Sequence, residues 1–375
     1  MLEYGLLGGK KRYKNMERLR KLKQFYNKYE RYLIPGALLF GFITDVLTFR
    51  LVSFTLAMLI LLGHLIFIGI NISVINLYEA RKITGKVFSY WRVLAPLFLQ
   101  YSFGNLFSAF LIFYSHSGSF SASWPFIGVI VFLMIGNEVF RKYNIRPTIQ
   151  ISVYFFALFS YTNLVFPHLL NNLSTFIFLG SAVVSVLLIL WFLSLLSSYT
   201  SRVGEKSKAI KLYICLIFLG MNFLYFTNLI PPIPLSITSV GVYHDIERVN
   251  REYKAVTEEC ENFDKCFFSH ERRHISREGE SLYLFSAVFA PEGMDLSVMH
   301  EWQRYNKEKK KWETAVNIPF LVEGGREMGY RWYTYYNVSP GYWRVNVKTE
   351  RGQIIGRKNF YVIGEKGVTR VEKSI

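Results

Sequence analysis

The stretch TNLIPPIPLSITSVGVYHDIERV (227–249) is apolar on its left and charged on its right, and Pro231, Pro232 and Pro234 stand at the seam. Proline donates no backbone hydrogen bond and pushes the residue before it out of helical geometry. The spacing predicts that a helix ends here and that IPPIP continues as a stiff, extended segment. Two different parts are therefore expected, an apolar one before residue 231 and a polar one after it.

The rest of the chain supports that division. Of 375 residues, 51% are hydrophobic, and nearly all the long apolar runs lie before residue 231. Residues 1–239 hold 22 Lys+Arg against 7 Asp+Glu, whereas residues 240–375 hold 22 against 20. The net charge of +17 thus belongs almost wholly to the apolar part, on segments flanking the runs. A nucleic-acid partner would need one basic face on a folded domain, so none is expected.

A membrane helix needs about 20 mostly apolar residues. Seven runs qualify, at 32–50, 52–76, 93–115, 123–140, 148–168, 173–197 and 211–230. Lys and Arg stay on the cytoplasmic side of such helices. The arm before the first run has ten basic residues, the segments 79–92 and 201–211 have four each, and RKYNIRP (141–147) has three. The alternate loops carry one, Arg50. This places the N-terminus in the cytoplasm and everything after residue 231 outside, which in a bacterial inner membrane is the periplasm.

The arm, residues 1–31, is itself patterned. Tyr13, Met16, Leu19, Leu22, Tyr26 and Tyr29 recur every three or four residues among Lys and Arg. That is a basic amphipathic helix suited to anionic lipid.

Ionisable groups inside a membrane are costly and mark candidate sites. Asp45, His64 and Glu138 are the candidates here. Glu138 has Arg141 three residues on, and Asp45 has Arg50, so both read as interfacial ion pairs. His64 lies in mid-run and reads as hydrogen-bonded to a neighbouring helix, as do Asn105, Asn137 and Asn163. The runs show neither paired carboxylates nor an internal repeat of the transporter kind.

Beyond the seam, residues 231–280 read as a Pro-rich exit and charged connector of helix or loop. Cys260 and Cys266 fall there, and export to an oxidising compartment makes a disulfide between them plausible. Cys215, inside the last apolar run, reads as inert core. HERRH (270–274) matches the zinc motif H-E-x-x-H, which on a helix would set His270 and His274 as ligands with Glu271 as base. Two Arg between the ligands oppose Zn²⁺, and a solvated charge cluster is the plainer reading.

From residue 281 the pattern has period two. The runs 282–290, 296–305, 312–322, 330–338, 342–348 and 353–363 read as strands, with turns at SPGYW and TERGQ. In WETAVNIPFLV (312–322), Trp312, Thr314, Val316, Ile318, Phe320 and Val322 are expected on one face. The fold class is thus a seven-helix membrane bundle (32–230) followed by an antiparallel, immunoglobulin-like β-sandwich (281–375).

Several segments resemble an uncharacterised bacterial family, domain-of-unknown-function family 2914. They are IPPIPLS (230–236), GVYHDIERV (241–249), AVFAPEGMDLSVMHEWQRY (287–305), GGREMGYRWYTYYNVSPGYWRV (324–345) and GQIIGRKNFYV (352–362). The resemblance covers about 225–363 and implies a small β-sandwich following membrane helices, with no reaction attached. The residues themselves leave two alternatives. Either His300 and Trp302 are core, or they join Arg304, Arg326, Arg331 and Tyr333 in a basic aromatic patch for acidic or glycan ligands.

No activated nucleophile, close carboxylate pair or phosphate loop accompanies that set, and no cofactor is implied. The expected function is a non-enzymatic module of the cell envelope. It would bind a protein partner or an envelope glycan or lipid. The alternatives are a transporter or lipid-handling protein with the sandwich as lid, and a zinc hydrolase using HERRH.

Overall fold

The structure, a computed structural model, describes residues 20–21, 24–25, 28–29, 32–33, 36, 39–44, 54–117, 120–139, 146–250, 252–258, 272–275, 280–326, 328–364 and 370–375. The chain divides into two compact units. The first comprises residues up to Ile112, Ile127–Phe166 and Thr175–Phe223, and the second Phe113–Phe126, Pro167–Ser174 and Leu224–Ile375.

The first unit is helical. Every described residue between 20 and 44 is helical (α1). There follow α2 (Phe54–Glu79), α3 (Lys86–His116), α4 (Phe120–Val139), α5 (Pro147–Leu169), α6 (Thr175–Tyr199) and α7 (Ser201–Phe226). Among the described residues five helices, α2, α3, α5, α6 and α7, are long and apolar enough to cross a membrane. Within α4 the apolar stretch is shorter, Ser123–Met134. Helix α7 begins earlier than its apolar run. The basic stretch 201–211, expected as a loop, forms its first turns, because Thr200 O accepts from Val203 N and Gly204 N.

Polarity inside this unit is the reverse of a water-soluble bundle. Asn71, Asn76, Asn105, Ser108, Ser160, Ser181 and Ser185 are buried, while Leu187, Trp191, Leu216 and Phe223 are exposed. Exposed apolar surface on that scale is costly in water and ordinary against lipid. The buried polar groups join helices. Asn105 meets His64 at 3.1 Å, Trp91 Nε1 donates to Asn71 at 3.1 Å, and Ser181 Oγ donates to Asn163 at 2.7 Å. Asn76 Nδ2 donates to Gln150 at 3.3 Å, and Tyr161 to the Met58 carbonyl at 3.2 Å. At the helix ends Glu79 accepts from Arg92 at 2.7 Å and lies 3.7 Å from Arg202, tying α2, α3 and α7 together.

The second unit is mostly strand. Among the described residues three sheets form, ordered β1-β5-β8, β4-β10-β9-β6-β7 and β11-β3-β2. Their strands are β1 (Ser236–Tyr243), β2 (Asp245–Val249), β3 (Glu252–Glu258), β4 (Arg272–Ile275), β5 (Ser281–Phe289), β6 (Leu296–Asn306), β7 (Lys311–Val322), β8 (Tyr330–Asn337), β9 (Gly341–Thr349), β10 (Ile354–Ile363) and β11 (Arg370–Ser374). Among the described residues the pairings are antiparallel except β4 with β10, which is parallel.

The first two sheets face each other across one core. Val242, Leu282, Leu284 and Val288 come from one side, and Val298, Trp302, Phe320, Trp343, Val345, Val347 and Phe360 from the other. The third sheet covers the opposite side of β1-β5-β8 through Ile246, Tyr253, Ala255, Phe285 and Ala287. Strands β1 to β3 thus lie in the stretch expected as a connector. Charge masked the period of two in β3, where Tyr253, Ala255 and Thr257 are buried and Lys254 and Val256 between them are less so.

The seam also differs from expectation. Helix α7 stops at Phe226, before the first proline. Asn228, at φ 57°, supplies the left-handed residue that closes it, with Leu229 N bonded to Leu224 O at 2.9 Å. IPPIP is neither extended nor exposed. Ile233 N donates to Pro231 O and Leu235 N to Pro232 O, both at 3.0 Å, and Pro231 to Leu235 are buried. The closing turn is gripped by the β9–β10 turn within the same unit. Arg351 lies 3.4 Å from the Tyr225 ring centroid and donates to the Tyr225 carbonyl at 3.1 Å. Asn228 donates to Arg351 O at 3.3 Å, and Gln353 to Ile230 O at 3.1 Å. A cation is well placed at the negative end of the helix dipole.

Candidate functional site

Strand parity places every candidate side chain of the second unit, and it disperses the expected patch. His300 and Trp302 point into the core and are fully buried. His300 bridges Ser286 Oγ at 2.8 Å and Thr334 Oγ1 at 2.9 Å, and Trp302 Nε1 donates to Thr334 at 3.3 Å. Burial pushes the imidazole down to about 3, so it is neutral near pH 7. A hydrogen-bonded Ser–His pair is the start of a nucleophilic site, but here no substrate can reach it.

Arg304 is exposed at the far end of β6. It bonds Pro340 O at 3.2 Å and lines a cleft of about 430 Å³ with Glu313, Tyr336 and Trp343. Arg326 pairs with Glu323 at 2.8 Å. Arg331 and Tyr333 lie on the face of β8 turned to the third sheet, where Tyr253 approaches Arg331 O at 3.4 Å and its ring meets Tyr333 at 6.3 Å. The six residues therefore form no common surface.

The remaining candidates fare differently. His64 is held by Asn105 and packs edge-on to Tyr101 at 5.8 Å. Asp45, Cys260, Cys266, His270 and Glu271 lie outside the described residues, as do the side chains of Glu138 and His274. The backbone of His274 belongs to strand β4, not to the helix that an H-E-x-x-H site requires. Among the described residues no cluster of His, Cys, Asp or Glu is arranged for a metal ion. Cys215 is exposed on α7, not core.

A different surface does assemble. The strands that turn His300, Trp302, Val345 and Val347 inward turn Glu301, Gln303, Arg344, Asn346 and Lys348 outward. Register sets Glu301 opposite Asn346, Gln303 opposite Arg344, and Asn346 opposite Arg357. Lys348 donates to Glu301 at 2.7 Å and Asn346 to Glu301 at 2.9 Å. Arg344 Nε donates to Gln303 at 2.5 Å, and Arg357 Nε to Asn346 Oδ1 at 2.7 Å. Glu301, Gln303 and Asn346 are buried despite lying on an outer face.

A β-bulge enlarges this surface. The β6–β7 register shifts between Trp302 and Gln303, pairing Trp302 with Val316 but Gln303 with Thr314. The extra residue, Ala315, flips the strand. Trp312 and Thr314 therefore lie outside, while Val316, Ile318, Phe320 and Val322 stay inside, which corrects the single face expected for 312–322. Trp312 then stacks under the Arg344 guanidinium, 4.3 Å from its centroid, and meets Tyr305 at 5.2 Å. Tyr342 and Tyr361 pair at 4.6 Å further along the same face.

The charges on this face do not cancel. Burial alone would raise the Glu301 carboxyl, but hydrogen bonds from Lys348 and Asn346 and the Lys348 charge hold it below the usual carboxylate value. Burial first, and neighbouring Arg357 with it, lower the Arg344 guanidinium to about 10, against the opposing pull of Glu301. Arg357 is lowered by burial as well. Three cations thus share one carboxylate. The alternation in YWRVNVK could have shown this, had its polar half been read beside its apolar half.

The fold defines a protein whose N-terminal helices are suited to a membrane and whose C-terminal domain is β-rich. Residues 295–362, within the region of the expected resemblance, match the family described as "Protein of unknown function (DUF2914)". No curated protein matches the chain. Among solved structures, the Pseudomonas fluorescens alkylpurine DNA glycosylase AlkC bound to DNA containing an abasic site analog matches at 10% identity, over 82% of this chain and 99% of that one. Its TM-score is 0.23, and a superposition that loose carries no argument.

Proposed function

We propose that the protein is a seven-span inner-membrane protein that displays an immunoglobulin-like sandwich in the periplasm. There the domain binds a protein partner or an envelope glycan or lipid, without catalysis. The observation that carries this reading is the outer face of β7-β6-β9-β10, where buried polar side chains and unbalanced cations are held in fixed geometry. Natural sheets rarely bury Glu, Gln and Asn on a face turned away from the core unless those groups are organised. The loop charges support the orientation. The fully buried Ser286–His300 pair weighs against a hydrolase.

Native mass spectrometry of the full-length protein, gently extracted in detergent, tests the reading. It predicts a specific bound protein, glycan or lipid. Turnover of an acyl or glycosyl substrate, or a bound zinc ion, would contradict it.

A further inference from the structure

The outer sheet face holds two arginines whose chemistry is unfinished. Arg344 and Arg357 are diagonal neighbours on β9 and β10, since Arg344 pairs with Asn359 and Arg357 with Asn346. Diagonal partners in a sheet lie within reach of long side chains. Each guanidinium spends its Nε on a neutral amide oxygen, Gln303 for Arg344 and Asn346 for Arg357. Neither makes a further hydrogen bond or ion pair among the described residues. The nearest acid, Glu301, is taken by Lys348.

Such a bond at Nε fixes the guanidinium plane and turns the paired terminal nitrogens away from the amide. Trp312 beneath Arg344 fixes that plane again. Two half-buried, mutually repelling forks result. This is an arrangement that a bidentate oxyanion completes, because it supplies both the missing acceptors and the missing charge.

We propose that this face binds an acidic saccharide. Its carboxylate or phosphate is clamped between Arg344 and Arg357, and its sugar ring lies on the exposed Tyr342 and the adjoining Tyr361. Aromatic rings beside arginine forks suit a ligand that is both flat-faced and charged. The inference rests on the binding-module reading and narrows it to a ligand class and a site.

The test is calorimetric titration of the full chain in neutral detergent with three probes: a trigalacturonate, a neutral trisaccharide and inorganic phosphate. Saturable binding of the trigalacturonate is expected, tighter than phosphate, with no binding of the neutral sugar. Arg344→Gln together with Arg357→Gln should weaken it on the order of a hundredfold, at about tenfold for each charge-assisted hydrogen-bonding fork removed. If that variant does not fold, Arg344→Lys with Arg357→Lys keeps the charge and loses the fork, and should still weaken binding. Equal affinity for the neutral trimer, phosphate binding as tight as the trimer, or affinity unchanged in the variants would overturn the site. A partner still retained by Arg344→Gln/Arg357→Gln in native mass spectrometry would overturn this site while leaving the binding-module reading in place.

Discussion

Lys348 Nζ lies 2.7 Å from Glu301 Oε1, on the outer side of the two strands whose inner side carries His300. The pair is mostly shielded, with side-chain exposures of 18% and 11%, so it is screened less than a surface ion pair. Its partners Asn346 and Thr314 also turn their hydrogen bonds on Glu301. Replacing Lys348 with Met should cost about 1–3 kcal/mol, because Glu301 keeps its burial and loses its cation. Chemical denaturation followed by tryptophan fluorescence reads the change. The double replacement of Glu301 by Gln and Lys348 by Met should cost less than the sum of the single ones.

His300 makes the second unit sensitive to acid. Its folded-state value, about 3, lies below the ordinary histidine value near 6.5. Between those values the unfolded chain binds the extra proton, so stability is complete above pH about 6.5 and falls as the pH drops toward 3. Glu301 adds to the loss only lower down. Its folded-state value is depressed, so its contribution is present above the ordinary carboxylate range and disappears as pH falls through the folded value. Denaturation midpoints should stay level from pH 8 to about 6.5 and fall from there to pH 4, and His300→Gln should flatten the upper part of that fall.

Thr334 serves two buried donors or acceptors at once, His300 Nδ1 and Trp302 Nε1. Thr334→Val preserves shape and strands both. A loss of about 1–3 kcal/mol is expected, whereas Thr314→Val on the outer face should cost less than about 1 kcal/mol. Comparable losses at the two positions, in paired thermal melts, would show that the Ser286–His300–Thr334 group does not organise the core.

Asn228 closes α7 in the left-handed region and bonds Arg351 O. Asn228→Gly should be nearly neutral, while Asn228→Leu should cost about 1–2 kcal/mol for the left-handed backbone alone. Arg351→Ala removes the bond to the Tyr225 carbonyl and the stacking on its ring, about 1–2 kcal/mol in all. Hydrogen exchange at Leu229 and Ile230 should rise in both destabilised variants.

Much of this architecture was legible in the sequence. The apolar runs show where helices lie, and period two shows β5 to β10. His64, Asn105 and Asn163 were readable as interhelical links because a membrane leaves such groups no other partner. Three things were not legible, each for a physical reason. Strands β2 and β3 hide their alternation beneath charge, since they bury only one thin face. Helix α7 ends through the conformation of Asn228, a signal that the nearby prolines outweigh on paper. The face of WETAVNIPFLV changes at a bulge that only its pairing with β6 reveals. The expected ligand patch failed for a related reason. His300, Trp302, Arg331 and Tyr333 share a composition but not a face, while Arg344 and Arg357 share a face through register alone.

The most direct test of the central claim, a binding domain displayed across the membrane from the N-terminal arm, is protease protection in sealed vesicles of both orientations. The account predicts that protease added outside right-side-out vesicles removes an epitope placed at Ile375 and spares one placed at Met1, with the reverse in inverted vesicles. Loss of both epitopes from the same side would contradict it.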